Sequence, residues 1–160
     1  MQTVRPATDV SLRDAWIVGA FGAAFLLRMG LVALVPDPAP VNDEIDYWRL
    51  AQGLARGEGF ASNFRPPLHP AFLSLFVGLG AGSVAVRVAQ GLLGALCVLP
   101  VAWLGGRMGG AGAARTAAWC FALDPVLIGF AHLLWSETLY IALLLAAVTA
   151  LVYDERRARA

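Results

Sequence analysis

The sequence predicts an all-α polytopic membrane protein with about four transmembrane helices, an interfacial helix and a short re-entrant or partial segment. Three observations carry this. Hydrophobic residues fill 59% of the 160 positions and charged residues 14%, where a soluble domain carries about 25% charge; mean hydropathy is +0.67. Apolar runs long enough to cross a bilayer recur, divided by proline- and glycine-rich breaks. Arginines gather at alternate ends of those runs, as the positive-inside rule requires of a folded-back bundle.

The first run, Ala15 to Val35, has 21 residues, about 31 Å as a helix. That spans a bilayer and is about twice the length of a signal-peptide core, so a retained anchor is expected. Pro36-Asp37-Pro38-Ala39-Pro40 then breaks the helix, because proline removes a donor and clashes with the preceding turn. From Asn42 to Arg56, helical spacing returns. Ile45, Trp48, Ala51, Leu54 and Ala55 share one face; Asp46, Arg49, Gln52 and Arg56 fall mostly on the other. This predicts a helix lying on the membrane, with Tyr47 and Trp48 at headgroup level, ended by Gly57-Glu58-Gly59.

Pro67 to Gly80 is 14 residues, short for a span and suited to a partial segment. Val84 to Leu104, Ala111 to Phe130 and Trp135 to Tyr153 are longer, with a glycine turn at Gly105 to Gly110 and a kink at Asp124-Pro125. If Pro67 to Gly80 does not cross, Arg5 and Arg13, Arg107 and Arg115, and Arg156, Arg157 and Arg159 all lie on one side. Positive-inside then makes both termini cytoplasmic. The expected organisation is a cytoplasmic N-terminus (1–14), a transmembrane module (15–153, first outer loop 36–83) and a basic cytoplasmic tail (154–160). The setting expected is a bacterial plasma membrane, the functional side facing outward.

Formal net charge is +1, and the twelve basic residues are all arginine. No basic stripe with stacking aromatics marks a nucleic-acid surface, and arginine does not serve as a proton-transfer base. Cys97 and Cys120 sit in apolar runs without disulfide or zinc spacing. Gly78 to Gly82 lacks the strand–turn–helix setting of a nucleotide loop.

The chemistry concentrates where the first span ends. Asn42-Asp43-Glu44-Ile45-Asp46-Tyr47 puts three carboxylates within four residues. One reading is a helix start, with Asn42 as N-cap and acids complementing the dipole. The other is functional, since three acids exceed what one cap needs: a carboxylate at a partly dry interface can act as a general base or ligate a divalent cation. Arg65-Pro66-Pro67-Leu68-His69-Pro70 is either a rigid helix start or a phosphate grip made of Arg65 and His69. Arg87 is the better phosphate candidate of two arginines within spans; Arg28 either pairs internally or snorkels. Ser136-Glu137-Thr138 is a second cap-or-site choice, with His132 just before it.

In this order and spacing, the residues resemble the start of the GT-C membrane glycosyltransferases, the superfamily of protein O-mannosyltransferases and bacterial aminoarabinose transferases. The likeness runs from the first span through Asp43-Glu44 and Asp46-Tyr47, then Leu54, Gly57, Gly59 and Phe60. It continues through Pro66-Pro67-Leu68-His69-Pro70, Arg87-Val88-Ala89-Gln90 with Gly94, Pro125, and Ser136-Glu137-Thr138-Leu139-Tyr140. It covers about residues 15 to 153. It implies transfer of a hexosyl or pentosyl unit from a polyprenyl-phosphate donor to an acceptor on the outer face. Asp43 would be the general base. Glu44 and Glu137 would orient the acceptor, or Asp43 and Glu137 would hold a divalent metal; Asp46 would assist in binding. Arg87, with Arg65 and His69, would meet the phosphate. The departure is size: such enzymes have many more spans, so a partner chain or further helices would complete this one. The competing expectation is a small non-catalytic membrane scaffold or assembly partner. A transporter fits less well, since its ionisable groups belong near mid-membrane.

Overall fold

A computed structural model describes residues 11–36 and 41–157, with side chains described as far as residue 154. Arg5, Arg159, the side chains of Arg156 and Arg157, and most of the Pro36–Pro40 break lie outside the described residues. The described chain is helical, without strands: α1 (Ala15–Leu34), α2 (Asp43–Ala55), α3 (Leu68–Gly78), α4 (Ser83–Leu96), α5 (Val98–Leu123), α6 (Pro125–His132) and α7 (Glu137–Arg157).

Three helices are long and apolar enough to cross a membrane: Ala15–Leu34, Ser83–Leu123 and Glu137–Asp154. The second has 41 residues, about 60 Å if straight and so roughly twice a bilayer core. It is not straight. Gly109 and Gly110 leave helical geometry, Gly110 at φ 76°, a conformation glycine adopts without steric cost. The chain folds back there: a Cβ on Gly105 would come 2.9 Å from Ala117 Cβ and 3.0 Å from the Ala113 carbonyl oxygen. In an unbroken helix, residues 105 and 117 would stand about 18 Å apart. The protein is therefore an all-α polytopic membrane protein, its chain passing up α1, down α4 and early α5, up late α5 and α6, and down α7. The turn is tighter than the Gly105–Gly110 expected from sequence; Arg107 is still helical, its guanidinium over the Trp103 ring.

Small residues let these helices approach closely. Ile17, Ala20 and Ala24 of α1 are buried with Ala114, Ala118 and Ala122 of late α5, and with Ala95, Val98 and Ala102. The alanines recur every four residues, one stripe along a helix face, and such stripes give close packing where lipid removes the hydrophobic drive. At one end of the bundle, Asp14 caps α1 through the Trp16 N–H at 2.9 Å and pairs with Arg115 at 2.7 Å. These bonds, Arg115 first, hold the Asp14 carboxyl below its ordinary range.

The opposite end carries α2 and α3. Tyr47, Ala51, Leu73, Val86 and Leu134 form its core, bringing α2, α3, the start of α4 and the segment before α7 together. Alpha3 begins beside Leu134 and leads through Gly80 into α4, whose Arg87 reaches α2. Both its ends thus lie at one end of the bundle, and its 11 residues reach about 16 Å, half a hydrocarbon core. It is a partial segment, not a fifth crossing.

Candidate functional site

The irregular stretch between α6 and α7 organises this end of the molecule. Residues 133–136 are non-helical, so their backbone groups need partners outside a helix. Side chains supply them. Leu134 N–H donates to Glu44 Oε1 at 2.7 Å, and its carbonyl accepts from His69 Nε2 at 3.1 Å. The Trp135 carbonyl accepts from Gln90 Nε2 at 3.1 Å, and the Tyr47 and Ser136 hydroxyls lie 3.4 Å apart.

Glu44 is the hub. It is 0% exposed and meets Arg87 at 3.3 Å, itself 1% exposed. Its second oxygen accepts from Val41 N–H at 3.0 Å. A carboxylate this deep is tolerable only when paired and hydrogen-bonded, as here. Asn42 stands at the N-cap position of α2, yet its side chain makes no capping bond and its φ is 46°. The reach of Glu44 back to Val41 closes the helix start instead, correcting the expectation of an Asn42 cap.

A second tier lies above this one. Arg65 donates to Asp43 through both terminal nitrogens, with Nη1 to Oδ2 at 2.8 Å, and through Nη2 to Asp46 Oδ2 at 3.2 Å. Asp46 also pairs with Arg49 at 2.9 Å. The Arg65 guanidinium stacks over Tyr47 at 5.2 Å and Phe64 at 5.0 Å. Its side chain is 17% exposed, against 44% for Asp43. The bonds to Asp43, then to Asp46, hold its protonated form above the ordinary arginine value.

Two cavities meet here. One, about 500 Å³, is lined by Asn42, Asp43, Asp46, Arg65 and Trp135. The other, about 580 Å³, lies between α2 and the 56–65 stretch and includes Arg49, Arg56, Glu58 and Phe64. Asp46 and Arg65 belong to both walls. Both pockets carry charged side chains and sit at one end of the bundle.

The candidate residues thus divide. Asp43, Asp46 and Arg65 share an open cavity. Glu44, His69 and Arg87 lie beneath it as supports of the fold. Arg65 and His69 do not form a common grip: each contacts Tyr47, and His69 turns to Leu134. Glu137 starts α7 two residues after the cavity-lining Trp135, and its Oε2 is buried without a hydrogen-bond partner among the described residues. No three His, Cys, Asp or Glu side chains gather as a metal cage among the described residues; the carboxylate of Asp43, one of the two metal candidates, is engaged by Arg65.

Arg28 resolves into the internal role. It is buried within α1 and donates through Nη1 to the carbonyls of Ala24 at 3.1 Å and Ala122 at 3.5 Å. The α5–α6 break turns the Val126 N–H, the helical partner of the Ala122 carbonyl, to the Asp124 side chain, and Arg28 supplies that carbonyl with a donor. Gly94 makes room for Arg28: a Cβ there would lie 2.9 Å from its Nε. Gln90 and the backbone of Leu134 escaped sequence reasoning. A glutamine in an apolar run on the face of Arg87 and Gly94 was the available signal.

Comparisons of the sequence and of the structure found no match to a family model, a curated protein or a solved structure.

Proposed function

We propose that this chain is a module of a membrane glycosyltransferase acting on the outer face of the membrane. Its donor is a polyprenyl-phosphate sugar and its acceptor a hydroxyl compound. The observation carrying the reading is the pairing of a half-exposed carboxylate, Asp43, with a fixed cation, Arg65, in one cavity of about 500 Å³ at a bundle end. The reaction needs those two charges: a base for the acceptor and a counter-charge for the departing phosphate. Asp43 takes the proton of the acceptor hydroxyl. The acceptor oxygen bonds to the anomeric carbon as the bond from that carbon to the phosphate oxygen breaks, and the electron pair leaves on the phosphate. Arg65 meets that charge. Glu137, at the start of α7 two residues after the cavity-lining Trp135, orients the acceptor. Glu44, His69 and Arg87 position these groups by fixing the segment before α7. The resemblance to GT-C enzymes supports the reaction class, and the arginines at the other end support the orientation.

A second reading, a non-catalytic assembly partner, draws on α7. Only 6% of its most apolar window is buried, against 28% for α1, leaving a long face for helices of another chain.

The test is sugar transfer in membranes containing the chain, with radiolabelled polyprenyl-phosphate sugars. Wild type is compared with Asp43→Asn, which keeps size and alters only an exposed charge. The enzyme reading expects transfer in wild type and a loss of at least a hundredfold in the variant, a base being worth about 10²–10⁴-fold. Equal transfer by both removes Asp43 as the base. Transfer by neither favours the assembly reading.

A further inference from the structure

We infer that Arg65 is an exchange site: a phosphate ester entering the cavity takes the guanidinium from Asp43, so that ligand arrival is what frees the Asp43 carboxylate. The inference rests on the phosphate-ester donor of the proposed reaction and adds a coupling which that reaction does not require.

The charges set the problem. As it stands, the Asp43 carboxylate is occupied: both terminal nitrogens of Arg65 donate to it. An anion entering beside two carboxylates has to compete with them for the cation between. The geometry favours such a swap. Arg65 stands in the wall common to two cavities, about 500 and 580 Å³, so an anion reaches it without unfolding anything. Tyr47 and Phe64 lie against the guanidinium and give it contacts that do not depend on which anion it pairs with.

The two carboxylates are unequal. Asp46 keeps Arg49 when Arg65 turns away. Asp43 has no hydrogen-bond partner but Arg65 among the described residues. Exchange therefore releases Asp43 and leaves Asp46 compensated. A phosphate ester suits the vacated position, because the planar fork of arginine binds phosphate as it binds carboxylate, through two parallel bonds.

If Asp43 competes with the anion for Arg65, removing its charge tightens anion binding through Arg65. The chain is placed in phosphatidylcholine nanodiscs and titrated by calorimetry with geranyl phosphate, and separately with inorganic phosphate. Wild type is compared with Asp43→Asn, Asp14→Asn and the double variant Asp43→Asn/Arg65→Met. Asp14 pairs with Arg115 at the opposite end of the bundle, so its variant reports the general effect of losing one acid. The expected result is a Kd about three- to tenfold lower in Asp43→Asn, little change in Asp14→Asn, and loss of the gain in the double variant. A gain with geranyl phosphate alone assigns the exchange to lipid-linked phosphate; a gain with both probes assigns it to phosphate in general. No tightening in Asp43→Asn, equal tightening in Asp14→Asn, or a gain surviving Arg65→Met each overturns the inference. These are binding readouts, so exchange can fail while transfer is observed, and the reverse.

Discussion

At the scale of residues, neighbours in sequence have opposite duties. Asp43 and Glu44 are adjacent, yet one faces a cavity and the other is sealed between Arg87 and the backbone of Leu134. Helix geometry is the reason: successive residues on α2 are about 100° apart, so one faces the bundle while the next faces the cavity. Their conservative variants should therefore differ. Glu44→Gln removes the charge from a buried pair with Arg87, a class of change costing about 3–5 kcal/mol. Asp43→Asn loses an ion pair on a half-exposed side chain, and such pairs are worth about 0–1 kcal/mol. In detergent, the unfolding midpoint of Glu44→Gln is expected to fall well below wild type while Asp43→Asn stays close to it. If the two fall together, Glu44 is not the hub described here. The sequence made the acids visible as a group. It did not sort them, because the partner that buries Glu44, the Leu134 backbone, lies 90 residues away and leaves no mark in side-chain pattern.

At the scale of elements, glycine and alanine spacing decides how the spans meet. Gly105 lies where the two arms of α5 cross, and two of the atoms a Cβ would meet belong to the Ala113 backbone, which cannot rotate away. Gly112, just beyond the turn, has open space around it. Gly105→Val is expected to destabilise by about 1–3 kcal/mol, the usual range for overpacking. Gly112→Val carries the same change in helix propensity without the clash and should cost markedly less. Thermal unfolding of both variants in one detergent checks this, and a similar loss in both would show that the arms are not in contact. The spans themselves were legible because membrane insertion demands long apolar runs. Their breaks were legible from Pro125 and the glycines. The alanine stripe of late α5, Ala114, Ala118 and Ala122, was equally present but went unread, since alanine is common in any apolar run and only the partner helix shows which face is used.

At the scale of the whole molecule, the argument turns on which parts share an end. Asp14 with Arg115, and the Gly109–Gly110 turn, define one end. Tyr47 with Ser136, and Glu44 with Leu134, define the other. The acids of the second end are matched there by Arg49, Arg56 and Arg65. The shared cavity requires only that α3 does not cross, since a crossing there would send Arg87 to the wrong side of Glu44. Cysteine labelling decides this directly. In a chain with Cys97 and Cys120 replaced by alanine, single cysteines are placed at Ser62, Leu79 and Met108. Ser62 precedes α3, Leu79 follows it at 83% exposure, and Met108 borders the turn at 89% exposure. A membrane-impermeant maleimide added to sealed, oriented vesicles should label Ser62→Cys and Leu79→Cys from one side and Met108→Cys from the other. With the positive-inside orientation, the first pair reacts from the outer side. Labelling of Leu79→Cys together with Met108→Cys would make α3 a crossing helix and dissolve the contact between α2 and α4. Labelling of Ser62→Cys from the cytoplasmic side would keep the fold but turn the cavity inward, ruling out transfer on the outer face.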